Sequence, residues 1–247
     1  MFQNIGEIII LIWKTILRLP AVWEKRQSVM DQLYDIGNAS LLMACILSAF
    51  VGGILALQIG PTLSERGISN FIGQIVGLGM CRELAPVTMA ILITGRVGSA
   101  MAAELGSMVI NQEIDALRSM NIDPIRYLVL PRLVAITIAM PVLVIFSDLV
   151  GWIAGAFISH YNYQVAISFQ AYFISLRNGV EFIDILKGLI KAIIFGGVIG
   201  AICCHQGLAT FGGPRGVGRS VTKAVVNSIV MILILDYFLT RILMQWK

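Results

Sequence analysis

The chain has 247 residues, of which 57% are hydrophobic and 13% charged, with a formal net charge of +4 and a mean hydropathy of +0.86. Soluble domains carry roughly 45–50% apolar and about 25% charged residues, so a water-soluble globule of this composition could not cover its own core. The basic balance does not point to nucleic acid either, because Lys and Arg are scattered between apolar runs and form no stripe interleaved with aromatics.

Residues 5–19 form an amphipathic pattern. Glu7, Leu11, Lys14 and Arg18 fall on one helical face, and Ile8, Ile9, Ile12, Ile16 and Leu19 cover the other. With Trp13 and Trp23 suited to the headgroup level, the region 5–30 is expected to hold an interfacial helix. Acidic Glu7 and the lack of a small-residue cleavage site speak against a cleavable signal peptide.

A crossing needs about 20 apolar residues. The first is expected at about 38–59, inside the charge-free stretch Ile36–Ser64. The second, about 70–95, places Arg82 and Glu83 at membrane depth. The third, about 133–158, contains Pro141, an expected kink, and Asp148. The fourth runs over about 185–206 with Lys187 and Lys191 near its start, and the fifth over about 224–244 with Asp236. The pattern predicts an all-α integral membrane protein: one interfacial helix and five transmembrane helices in a single domain, 1–247. Cytoplasmic placement of the N-terminus puts most Lys and Arg inside and the C-terminus on the far side.

Several motifs invite a function and are set aside. Gly213–Ser220 nearly fits the phosphate-binding GxxxxGK[ST], but Arg219 replaces its lysine, Pro214 removes a backbone donor and no strand precedes it. His160 and His205 lack metal-ligand spacing, no serine sits in a nucleophile elbow, and Cys45, Cys81, Cys203 and Cys204 form no disulfide framework. No metal, cofactor or active site is expected in this chain. The spacings Gly73/Gly77, Gly151/Gly155 and Gly196/Gly200 are candidate close-packing sites.

Charge inside hydrocarbon costs several kcal/mol unless paired or hydrated. Arg82 and Glu83 are therefore either members of an interhelix ion pair, with Lys191, Asp148 or Asp236 as partners, or the lining of a polar cavity. Adjacent residues point about 100° apart on a helix, so the two are not expected to face one partner. In the polar stretch Arg96–Arg132, Glu113 and Asp115 early and Arg118 late predict a short helix stopped by Pro124, with Ile114, Leu117 and Met120 as a small apolar face. It is either a solvated hairpin or a helix that docks into a partner's groove.

The run Arg82-Glu83-Leu84-Ala85-Pro86, followed by Gly95-Arg96-Val97-Gly98-Ser99, Ala103-Glu104-Leu105-Gly106, Glu113 through Asp123-Pro124, and Asp236-Tyr-Phe-Leu-Thr240, resembles the MlaE-type (YrbE-like) permeases of MCE-type ABC lipid transporters. Ala85 stands where that family often has glycine. The resemblance implies a homodimer bound to two cytoplasmic ABC ATPase subunits, which hold the ATP and Mg, and to an MCE-domain substrate-binding protein on the far side. Phospholipid would move between membranes, in outer-membrane lipid asymmetry or envelope trafficking. The residues Glu113, Ile114, Asp115, Leu117, Arg118 and Met120 would form the cytoplasmic coupling helix between spans 2 and 3. Arg82 and Glu83 would line the lipid cavity, with Leu57 and Gln58 assigned to it as well. The setting implied is the inner membrane of a Gram-negative-type bacterium or a plastid inner envelope. The rival reading is an ion- or proton-coupled carrier using Asp148, Lys191 and Asp236 as a relay.

Overall fold

The computed structural model describes Gly6, Glu7, Ile10, Leu11, Trp13, Thr15, Arg18, residues 25–162, Val165 and residues 167–245. Ile8, Ile9, Ile12, Lys14, Ile16, Leu19 and Trp23, named above for the N-terminal helix, lie outside that set, as does Lys247. The described residues are helical or in turns and hold no strand. Five helices are long and apolar enough to cross a membrane: α1 (Arg26–Glu65), α2 (Ser69–Ile110), α4 (Ile125–Tyr161), α6 (Phe182–Leu208) and α7 (Gly213–Met244). Two shorter ones lie between them among the described residues, α3 (Glu113–Ser119) and α5 (Phe169–Gly179).

The helices run past the apolar stretches that announced them. At about 1.5 Å per residue, the 42 residues of α2 extend roughly 63 Å, about twice the hydrocarbon thickness. Helix ends are set by turns and caps, not by the loss of hydrophobicity. So Arg96 and Glu104 continue α2, and the break comes only where Gln112 adopts a left-handed conformation, φ 61°. Likewise α3 ends at left-handed Asn121, φ 59°, before Pro124 is reached. The segment 214–220 is not a loop. Gly212 and Gly213, both at positive φ, make the turn, and Pro214 opens α7 in the first turn, where its missing N–H costs nothing. α4 stays helical through Pro141.

Two compact units make up the chain: Met1–Ala39, Ala90–Met140 and Ile193–Lys247 form the first, and Ser40–Met89 with Pro141–Ala192 the second. In the second unit, small residues bring backbones together. A Cβ on Gly73 would collide with the Tyr172 carbonyl, one on Gly52 with the Gly151 carbonyl, and one on Gly77 with Val180. The Ser48 hydroxyl donates to Ala44 O and meets Ser147 Oγ, both at 2.6 Å. Such close approach substitutes for the hydrophobic drive that helices lack in lipid. In the first unit, Gly196 and Gly200 sit against Ile136, and α7 buries Gly216, Ser220, Ala224, Ser228 and Ile232, every fourth residue, and packs against 99–110 of α2. All three GxxxG spacings are thus packing sites.

The N-terminal helix is present, and the predicted apolar face lies outside the described residues. Leu11 and Thr15 are buried, Ile10 and Trp13 are exposed, and Glu7 and Arg18 reach inward to His205 Nε2 (2.9 Å) and Asp123 Oδ2 (2.6 Å). The exposed Ile10 and Trp13 suit a helix lying among lipids, and Glu7 and Arg18 have protein partners.

Candidate functional site

Pro86 determines the local structure around Arg82 and Glu83. In an α-helix its nitrogen would donate to Arg82 O, but proline has no N–H and its ring crowds that carbonyl. The backbone responds with a π-helical turn over Met80–Leu84, in which Ala85 N bonds Met80 O. Arg82 O is left needing a donor, and an unsatisfied carbonyl in hydrocarbon costs several kcal/mol. Lys191 provides the donor: its Nζ bonds Arg82 O at 3.0 Å and Glu83 Oε2 at 2.6 Å. Only 2% of the Lys191 side chain is exposed.

Arg82 pairs with the same helix one face position away. Its Nε and Nη2 donate to Asp184 Oδ1 at 2.8 and 2.7 Å. Asp184 is buried and does double duty, because its Oδ2 accepts from Glu181 N at 3.2 Å and caps the first turn of α6. Asp184, Gly188 and Lys191 lie at i, i+4 and i+7, so they share a face. Gly188 lets the α6 backbone ride against the Cys81 carbonyl, where a Cβ would collide. Hence both adjacent charges do face one partner helix, contrary to the 100° expectation. The face of α6 is two turns long, and the long side chains reach its two ends.

The anion pairs are not sealed. Arg82 and Glu83 leave 47% and 40% of their side chains exposed, while Asp184 and Lys191 are hidden. The site can therefore present one cation and one anion, held firmly from behind, to whatever lies on the open side.

The other predicted site residues fall elsewhere. Leu57 and Gln58 are exposed on α1 and make no hydrogen bond to this cluster among the described residues. Asp148, 3% exposed, lies beside the Cys81 thiol in the second unit. Asp236 belongs to the first unit, half-buried on α7. Of the α3 group, Ile114 is buried and Leu117 half-buried, while Glu113, Asp115, Arg118 and Met120 are exposed. Arg118 pairs with Asp115 on the same surface, at 3.3 Å. Asp184 was missed by the sequence reading because it precedes the fourth apolar run. Its signal was the spacing to Glu181 and to Lys191. Tyr172 on α5 was missed too. It is buried, burial pushes its hydroxyl well above the ordinary tyrosine range, and that hydroxyl has no hydrogen-bond partner among the described residues.

Five span-length helices and an ion-pair clamp within one of the apolar runs define a multi-pass membrane protein. The chain belongs to the MlaE permease family, whose profile, described as Permease MlaE, matches residues 29–242. It is similar to a probable ABC transporter permease protein of Rickettsia typhi, 39% identical over 88% of this chain and 83% of the relative. A probable ABC transporter permease protein of Synechocystis is 36% identical over 99% of this chain and 92% of that protein. The chloroplastic protein Trigalactosyldiacylglycerol 1 of Arabidopsis thaliana is 36% identical over 89% of this chain and 62% of its own length. The chain is thus an ABC transporter permease, the transport subunit of a system with partner subunits.

Proposed function

We propose that the chain, acting as one permease domain, is the membrane half of a phospholipid transporter that works as a homodimer. Two cytoplasmic ABC ATPase subunits bind ATP and Mg and hydrolyse the nucleotide, and an MCE-domain protein receives or delivers lipid on the far side. The N-terminus is cytoplasmic and the C-terminus lies across the inner membrane. The observation that carries this reading is the clamped, half-exposed Arg82/Glu83 pair, which offers opposite charges at the depth where a zwitterionic headgroup would need them. The name of the chloroplast relative, which contains a galactolipid, lends support to a lipid cargo. Leu57 and Gln58 would extend the same lipid path.

In this mechanism ATP closes the ATPase pair and α3 transmits the motion. The exposed residues Glu113, Asp115, Arg118 and Met120 make the docking surface. Ile114 and Leu117 hold α3 to its own unit instead. Transport requires two conformations with different lipid affinity, and the cluster at Arg82/Glu83 is where that difference would arise. Asp148, Lys191 and Asp236 then serve structure, not an ion relay.

The test is affinity capture of the detergent-solubilised chain with mass spectrometry of bound protein and lipid. Co-capture of an ABC ATPase and phospholipid supports the reading, with Met120→Asp shedding the ATPase and Glu83→Gln lowering bound lipid. A chain recovered with neither would overturn the reading in favour of its rival, the ion-coupled carrier.

A further inference from the structure

A second polar site lies in the first unit. A cavity of about 250 Å³ opens between the start of α1 and the start of α4, lined by Ser28, Asp31, Gln32, Tyr127, Leu128 and Arg132. Arg132 is held in place by Glu104, Nη2 to Oε2 at 3.0 Å, with only 12% of its side chain exposed. Its Nη1 is buried and has no hydrogen-bond partner among the described residues. A guanidinium is charged at every accessible pH, so this donor calls for an acceptor, and an anionic one serves best. The same cavity is lined by a carboxylate, Asp31, which forms no ion pair among the described residues.

One site thus holds a buried cationic donor and an acidic acceptor. Arg132 Nη1 lacks an acceptor and Asp31 lacks a cationic partner among the described residues. A ligand carrying both signs suits both. Its depth is set by the sequence: the uncharged run of α1 begins at Ile36 and that of α4 at Leu133, each just beyond the cavity. Tyr127, itself exposed, lines it where aromatic side chains meet headgroups. The volume corresponds to about eight waters at ~30 Å³ each, a size that suits a phosphoethanolamine group.

We infer that this cavity binds the headgroup of a zwitterionic aminophospholipid, the phosphate on Arg132 Nη1 and the ammonium toward Asp31, as a resident lipid distinct from the transported one. The site is made only of first-unit residues and does not depend on what the cluster at Arg82/Glu83 carries.

Native mass spectrometry of the detergent-solubilised chain, titrated separately with phosphatidylethanolamine and phosphatidylglycerol, tests it. Wild type is expected to retain phosphatidylethanolamine, and Arg132→Gln to lose at least about tenfold in affinity, the worth of one charged hydrogen bond. Arg132 also holds Glu104, so Asp31→Asn is the variant that leaves folding intact: it is expected to abolish the preference for phosphatidylethanolamine over phosphatidylglycerol. Glu83→Gln is expected to leave this adduct in place. Equal retention of both lipids by wild type, or an unchanged preference in Asp31→Asn, would overturn the inference. Displacement of the lipid by equimolar glycerophosphoethanolamine or inorganic phosphate would overturn it as well, assigning the site to a soluble phosphate.

Discussion

The two units treat their basic side chains differently. In the second, Arg82 and Lys191 have each been given an acidic partner, and Lys191 also serves a backbone carbonyl freed by proline. In the first, Arg18, Arg132 and His205 each have one acidic partner yet keep a buried nitrogen without a hydrogen bond among the described residues. A group whose hydrogen bonds are complete holds the fold together. A buried guanidinium with a nitrogen to spare can take a further acceptor. In the second unit Lys191 is spent on packing and Arg82 is held from behind with one side open, whereas the first unit's Arg18, Arg132 and His205 each keep a buried nitrogen unpartnered among the described residues.

The comparison breaks most readily at Lys191. Lys191→Met removes the ammonium, leaves Glu83 without this partner and strips Arg82 O of its donor. It is expected to cost about 3 kcal/mol, the lower end for a broken buried pair because Glu83 is partly exposed. The unfolding midpoint in detergent measures this, and adding Glu83→Gln should recover much of the loss. A Lys191→Met protein as stable as wild type would remove the distinction between the units. Next comes Gly188→Ala, whose Cβ meets the Cys81 carbonyl. It should cost about 2 kcal/mol as the helices are forced apart, read in the same assay.

Smaller effects sharpen the contrast. Tyr172→Phe removes a buried hydroxyl without a hydrogen-bond partner and is expected to be neutral or stabilising by up to about 1 kcal/mol. Its pH dependence has a definite sign. The folded-state pKa is raised above the ordinary value of 10.0, so the unfolded chain gives up the proton first, and stability falls as pH climbs past 10. The Phe variant should lack that share of the alkaline loss. Smallest is Asp115→Asn, which breaks the exposed pair with Arg118 and should change stability by no more than about 0.5 kcal/mol. Any larger effect would mean α3 is held by more than Ile114.

The five spans were legible because uncharged runs of the right length have few alternatives to a bilayer. Their ends were not, since the polar residues 96–110 carry no breaker and simply remain helical until Gln112 turns the chain. α5 escaped notice because its eleven residues are too few and too mixed to register as a span. Only Ser168, whose hydroxyl accepts from Ala171 N, marks its start. At the charge cluster, Lys191 was among the foreseen partners of the Arg82/Glu83 pair. Asp184 was not, since which face α6 turns toward α2 is decided by Gly188, a residue without a side chain to read. In the N-terminal helix, the partners of Glu7 and Arg18, His205 and Asp123, were not legible, because they come from distant parts of the chain.

The π-helical turn at Met80–Leu84, and a second at Thr94–Gly98, carry a consequence for the length of this helix. A π-turn accommodates one residue more than the α-helical count, and each residue advances the azimuth by about 100°. Ala85–Ile93 is therefore re-indexed once, and Ser99–Ile110 twice, relative to the beginning of α2. Deleting a single residue within either turn would keep the helix and its composition, yet rotate Met101 and Leu105 off the buried side. In this stretch a one-residue change in length acts as a change of phase.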